Sequence, residues 1–317
     1  MIHLSKFLSA LGLFSAVIFF AAAVQAETCA STVTDFNFGS VSLRAGATNQ
    51  TIGSVTITCS GGLLGGAAVP VGVCLTFGGG SASNNAVPPR RFMVGPGGSF
   101  LEYQLRQYGN GASNGTLVTM FVEVPIVLGS GSAVMPIYAD IVSNSVDVPT
   151  GTYSANFSGV NGVQMKVAVL SCDTLSTSQA VPSFQVSANV VASCEVDTGS
   201  LDFGNLGGTI TAIIDQTTSI NVRCTNGTPY RVSLGLGEGR GVTGPETRKM
   251  RSVASSLSYG LYQDPGRSVP WGDNSGNNVG RSGNGSNQAL AIYGRIFSRQ
   301  QASVGVYTDR VLVTVNY

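Results

Sequence analysis

Two pairs of cysteines set at one interval constrain this chain more than any other feature. Cys29 and Cys59 are 30 residues apart, and so are Cys194 and Cys224. Nine residues after the first cysteine of each pair comes a Phe-Gly, Phe38-Gly39 and Phe203-Gly204. Further landmarks follow in the same order. Leu101-Glu102-Tyr103-Gln104-Leu105 matches Leu257-Ser258-Tyr259-Gly260-Leu261, and Ile137-Tyr138-Ala139-Asp140-Ile141 matches Ile292-Tyr293-Gly294-Arg295-Ile296. Gly151-Thr152-Tyr153 matches Gly305-Val306-Tyr307. The offset drifts from 165 to 154, as loops of unequal length require. One such match arises easily by chance; five in order indicate a duplicated domain. The expected copies are residues 27–173 and 183–317, joined by the Ser/Thr-rich, proline-ended linker 174–182.

Each copy reads as β structure. Thr51–Cys59, Val71–Phe77, Leu117–Leu128 and Tyr307–Tyr317 carry a period of two in β-branched and aromatic residues, and no stretch carries a long 3.6-residue apolar period. Glycine is abundant (42 residues) and charge sparse (10%), which suits short strands joined by tight turns. The predicted class is all-β, with two sandwiches.

The first 26 residues read as a secretory signal: Lys6, an apolar run from Leu8 to Ala23, then Val24-Gln25-Ala26 at the cleavage site. The only histidine, His3, lies in that segment, so Ser-His-Asp or Cys-His nucleophiles and histidine metal sites are not expected after cleavage. Asp197 and Asp202 are the candidates for a carboxylate pair, and both read more simply as turn and solvent-face residues. The formal charge of +1 gives no electrostatic case for nucleic acid. The cluster Arg248-Lys249-Met250-Arg251 is expected as a solvated turn. The chain thus reads as a binding or structural protein rather than an enzyme, with no metal and no cofactor.

An exported chain with six cysteines is expected to be oxidised. The repeat selects Cys29–Cys59 and Cys194–Cys224, which leaves Cys74 for Cys172.

The copies differ at their ends. Beyond the point matching Tyr317, the first copy continues through Gln164–Cys172, an alternating segment with no counterpart in the second. The second sandwich is therefore expected to lack its final strand. The groove so opened is expected between Phe184, Val186 and Val190 on one side and Val311, Val313, Val315 and Tyr317 on the other. Unpaired backbone beside an apolar trough invites a strand from another chain. With cleavage after Ala26, Glu27 and Thr28 alone precede Cys29, so this subunit is expected to receive a strand and to have none to lend. The loops of the first copy are unusually apolar, with Leu63, Leu64, Val87, Val127, Leu128, Val134 and Met135 at or beside turns. They either fold back onto the domain or form one exposed patch that binds something.

These residues carry a resemblance. Cys29/Cys194, Phe38-Gly39/Phe203-Gly204, Cys59/Cys224, Leu257–Tyr262 with Trp271-Gly272, and Gly305-x-Tyr307 are similar to the spore coat protein U domain, the pilin-like domain of archaic (Csu-type) chaperone–usher pili. The likeness spans nearly all of the chain after the signal and is looser in the first copy, which lacks the Trp-Gly. The two-domain layout resembles a tip adhesin of such a pilus. The resemblance implies an immunoglobulin-like fold, a periplasmic pilus chaperone, an outer-membrane usher, and a donor strand from the N-terminus of the adjacent pilin subunit. It also implies attachment to abiotic or host surfaces through apolar loops during biofilm formation, at the pilus tip on the cell surface. A coat or matrix subunit built from the same domain is the alternative.

Overall fold

This computed structural model describes residues 28–44, 46–61, 69–82, 90–107, 118–142, 147–168, 171–172 and 178–317. The first unit is built from β1 (Thr28–Val33), β2 (Phe36–Val41), β3 (Gln50–Ser60), β4 (Val69–Phe77), β5 (Arg91–Val94), β6 (Phe100–Arg106), β7 (Thr119–Ile126), β8 (Ser130–Ile141), β9 (Gly151–Phe157), β10 (Val163–Ala168), β11 (Gln179–Ala180) and β12 (Phe184–Val190). The second follows with β13 (Cys194–Thr198), β14 (Thr209–Ile210), β15 (Ile214–Cys224), β16 (Pro229–Leu234), β17 (Arg248–Arg251), β18 (Ser256–Tyr262), β19 (Val279–Ser282), β20 (Gln288–Ile296), β21 (Gln300–Gln301) and β22 (Val313–Asn316).

The first unit packs an eight-stranded sheet, ordered β1-β3-β8-β6-β5-β9-β12-β2, against a four-stranded sheet, β11-β10-β4-β7. Alternation drives this. In β7 every second residue is buried, and β6 does the same with Leu101, Tyr103 and Leu105. The second unit pairs a five-stranded sheet, β13-β15-β20-β18-β17, with the three strands β19-β16-β22 and the small ribbon β14-β21. Each unit has its own apolar core. Disulfides join Cys29 to Cys59 and Cys194 to Cys224, the two pairings the repeat selects, and Cys74 to Cys172, the one it leaves.

A buried arginine recurs in both units. Arg91, on β5, donates from Nε to the Gly78 carbonyl (3.0 Å) and from Nη2 to that of Phe77 (3.1 Å). Arg248, on β17, donates from Nε to Gly235 (2.9 Å) and from Nη2 to Leu234 (3.0 Å) and Trp271 (2.7 Å). Carbonyls at the end of the facing strand thus compensate a guanidinium taken out of water. Burial pulls the Arg91 pKa down to about 10, which leaves it charged at neutral pH. The expected solvated turn at Arg248–Arg251 is therefore a strand with its first side chain fully buried. Trp271, which the sequence places in a polar loop, is buried too, with its Nε1 donating to the Val232 carbonyl (3.0 Å).

The largest correction concerns Phe184–Val190. These residues do not open the second sandwich. β12 pairs antiparallel with β9, from Phe184↔Phe157 to Val190↔Gly151, and parallel with β2, from Val186↔Phe36 to Val190↔Val41. Phe184, Val186, Ala188 and Val190 are all buried in the first core. Phe184 stacks on Phe157 with ring centroids 4.5 Å apart and lies 5.8 Å from the Phe36 ring. The expected linker is also engaged, since Gln179-Ala180 pair with β10 and Val181 is buried in the same core. The stretch between β12 and β13 is Val191-Ala192-Ser193. Nor is the segment after residue 163 peculiar to the first copy: β10 lies on β4 as β22 lies on β16, with Val163↔Phe77 answering Val313↔Leu234. What the second unit lacks among the described residues is a counterpart to β12, and to the two-residue β11 that leads into it.

Phe184→Ala is expected to destabilise the first unit by about 3–5 kcal/mol through loss of burial and a residual cavity. The second unit is expected to keep its own stability. Denaturant unfolding of the full chain followed by hydrogen exchange of each unit checks both.

Candidate functional site

The missing strand leaves a visible vacancy. In the first unit β12 lies between β2 and β9. The matching walls of the second unit are residues 201–206 and 305–311, and no strand of the described residues lies between them. Neither wall belongs to a strand; Thr308 keeps one bridge to Arg251, as Ser154 pairs with Val94 in the first unit. Two adjoining hollows of about 460 and 540 Å³ occupy the gap. Leu201, Phe203 and Leu206 line one wall, Tyr307, Val311 and Val313 the other, and Ile220, Leu257, Tyr259 and Ile292 form the floor.

The walls match those of the first unit in detail. Gly39 N–H donates to Asn37 Oδ1 at 2.8 Å and Gly204 N–H to Asp202 Oδ1 at 2.8 Å, each glycine at positive φ (65° and 79°). This is a side-chain-closed irregularity within the wall, and in the first unit the β12–β2 register shifts there, between Ser187 and Asn189. On the opposite wall, the Tyr153 hydroxyl bonds Ser99 Oγ (2.7 Å) and donates to the Pro149 carbonyl (2.8 Å). Tyr307 repeats it, bonding Ser255 Oγ and donating to the Ser303 carbonyl (3.0 Å). The two hydroxyls are shifted in opposite directions. Burial raises the Tyr153 pKa above its ordinary value. The hydrogen bond from Ser255 leads the causes that hold Tyr307 below it.

Three substitutions distinguish the empty trough from the filled one. Val311 stands where Phe157 stacks on Phe184, and Leu201 stands where Phe36 packs. Asp309 replaces buried Ala155; its Oδ2 accepts from the Tyr259 hydroxyl (2.6 Å) and its Oδ1 from the Glu238 N–H (2.7 Å). Burial, followed by the bond to Asp309, raises the Tyr259 pKa. A strand entering here meets more room at its first apolar position and a carboxylate at its second.

Of the residues expected to line the groove, Val311 and Val313 do so. Val315 packs on the second core opposite Val232, while Tyr317 is exposed. Phe184, Val186 and Val190 fill the first unit's trough instead, because their alternation fits the gap between β2 and β9. The sequence reading missed Leu201, Phe203, Leu206, Tyr307 and Asp309; matching Phe38-Gly39 to Phe203-Gly204 and Tyr153 to Tyr307 carried the signal for most of them.

The apolar loop residues divide. Leu63, Leu64 and Val87 lie outside the described residues. Val134 and Met135 are not in a loop but inside β8, where Met135 packs on the core and Val134 faces outward. Val127 and Leu128 form the β7–β8 hairpin, closed by Val127 N–H to the Ser130 carbonyl (2.9 Å). Leu128 (φ 53°) and Gly129 (φ 85°) both take positive φ, and Leu128 is 90% exposed. A left-handed leucine costs about 1–2 kcal/mol where Asn or Gly fits freely. Gly61 N–H bonds the Gly129 carbonyl (3.0 Å), which brings the end of β3 beside this apex. The register Ser60↔Ser130 and Thr28↔Ser60 puts the apex at one end of the unit, whereas β12 leaves the sheet at the other, against Val41 and Gly151. Asp197 lies exposed on β13, and Asp202 closes the irregularity in the wall.

A pair of pilin-like sandwiches, one filled by a strand and one open, is the class of protein that fold and site define. The family model for the Spore Coat Protein U domain matches residues 15–158 and 180–314, and the chain belongs to that family. Protein U of Myxococcus xanthus is 31% identical over 144 residues, 41% of this chain and 80% of that protein. Among solved structures, a chain of the CsuC–CsuE chaperone–tip adhesion subunit pre-assembly complex from the archaic chaperone–usher Csu pili of Acinetobacter baumannii is similar. It is 16% identical, with 91% of this chain and 100% of that one covered and a TM-score of 0.51, which bears on the fold alone. The CupB6 tip adhesin of Pseudomonas aeruginosa aligns over 90% of this chain and 93% of its own at 10% identity, with a TM-score of 0.32 too low to carry an argument.

The amides of residues 201–206 and 305–311 are expected to exchange at least about a hundredfold faster than those of 36–41 and 151–157, because only the latter are bonded to a strand on the trough side. Hydrogen-exchange mass spectrometry of the full chain reads this directly.

Proposed function

We propose that this chain is the tip adhesin subunit of a chaperone–usher pilus. The observation that carries the reading is β12. It precedes the second unit by three residues, yet it completes the first unit's sheet, so one chain already contains a strand donor and its acceptor. The second unit's trough repeats the acceptor and lacks the donor. Its partner is then the N-terminal donor strand of the adjacent pilin subunit, with a periplasmic pilus chaperone holding the trough before assembly and an outer-membrane usher passing the chain to the surface. The first unit has its trough occupied and stands at the free end of the fibre.

Leu128 supports the adhesive role. An exposed leucine held in a backbone conformation that disfavours it is a cost without benefit to folding, and such outliers gather where function needs them. Together with Val127 and exposed Val134, it would give the pilus tip an apolar contact for abiotic or host surfaces and so support biofilm formation.

Two outcomes test the reading. A strand of alternating apolar residues added after Tyr317, on a connector as long as residues 169–183, is expected to enter the open trough. The unfolding midpoint of the second unit should rise by at least about 5 °C, and Asp at two inward positions of the added strand should abolish the gain. Leu128→Ser with Val134→Ser is expected to reduce attachment to an apolar surface several-fold while leaving the level of surface-displayed chain unchanged. Undiminished attachment would remove the adhesive role from this end.

A further inference from the structure

One mouth of the open trough carries an apolar cluster that no described part of the chain covers. Val253, at the β17–β18 turn, is 108% exposed, Val304 is 104% exposed and Val306 82%. They form one patch. The turn is closed by Ser252 N–H to the Ser255 carbonyl (2.9 Å), Ser255 Oγ bonds the Tyr307 hydroxyl, and Ser252 lies against Gly305. Val304 and Val306 also rim the trough itself. Single exposed valines are ordinary, but three together beside an unfilled trough mark a contact surface.

The first unit shows what belongs at this mouth. Its counterparts to Gly305 and Leu206 are Gly151 and Val41, where β12 leaves the sheet, and three residues later the chain has entered β13. The body behind the strand lands beside that exit. Asn226 Nδ2 donates to the Asp147 carbonyl (3.1 Å), and Gly285 packs so closely on Asp147 that an added Cβ would lie 2.3 Å from its Oδ1. That junction is polar, and its rim is Pro96-Gly97-Gly98, Thr150 and Thr152 where the second unit has Val253, Val304 and Val306. A covalent joint holds its two bodies at high effective concentration without apolar contact. A joint between separate chains does not have that link.

We infer that Val253, Val304 and Val306 form a second docking surface, which takes the folded body of the subunit whose strand fills the trough. The inference rests on the donor-strand reading for one point, that the incoming strand runs as β12 does and so exits at Gly305. Its partner is one chain in two contacts: an extended apolar strand, and an apolar patch on the globular part directly behind that strand.

Photo-crosslinking in fibre-bearing cells tests this, with benzoylphenylalanine placed singly at Val253, at Val304, and at Arg310 on the outward face of the trough wall. The expected result is that all three positions capture the same fibre subunit. Position 310 should link to its leading strand, and positions 253 and 304 to peptides of its folded body. Capture at 253 and 304 of nothing, of a chaperone, or of a second copy of this chain, while 310 still captures a leading strand, would overturn the docking surface and leave the donor-strand reading intact. Failure of 310 to capture any subunit's strand would overturn both.

Discussion

The structure depends on what happens to one strand's two backbone edges and its inward side chains at the same time. β12 bonds to β9 on one side and β2 on the other while Phe184, Val186, Ala188 and Val190 go into the first core. Each of the larger side chains contributes about 1.5–3 kcal/mol by leaving water, and the two ladders satisfy wall backbone that burial would otherwise penalise. Without the strand, the same fold has an apolar floor and two unpaired walls, and the second unit has that form. The two units are thus nearly one structure in two states of occupancy. Ala188, small because it lies opposite Tyr153, shows how closely the strand is fitted to its walls.

The features shared by both units hold the trough open to a definite shape. The buried arginine ties the start of β5 or β17 to the end of the facing strand, and the tyrosine–serine–carbonyl contact fixes where the outer wall begins. Arg248 does not line the trough, whereas Tyr307 forms part of its wall, as Tyr153 lies opposite Ala188 of β12. Both contacts help the second unit keep its walls with no strand between them, as does its own core, in which Val222, Tyr230, Val232 and Trp271 are buried. The differences sit inside the trough, at Leu201, Val311 and Asp309, and bear on which strand fits.

Much of this was legible in the sequence. The equal cysteine intervals gave the duplication, and alternation gave the strands, because both depend on local spacing. The assignment of Phe184–Val190 to the second unit failed for a physical reason. Period-two alternation says that a segment is a strand with one buried face but not which core receives it, and nearness to Cys194 pointed the wrong way. The same blindness made Gln164–Cys172 look like an unmatched strand, since the drifting offset hid the equivalence of Val163 and Val313. Arg248 was read as solvated because charge normally is, and the carbonyls that compensate it come from strand ends distant in sequence. Val134 and Met135 were placed in a loop because the glycines around them suggested one, whereas the turn is confined to Leu128-Gly129.

The central claim, that the second unit's trough takes a foreign strand in the direction of β12, is tested most directly by cryo-electron microscopy of native fibre ends. The account predicts density for another chain's strand between residues 201–206 and 305–311, running antiparallel to the latter, with the first unit terminal and its trough filled by Phe184–Val190. A trough closed by residues of its own chain, or a strand running the other way, would contradict it.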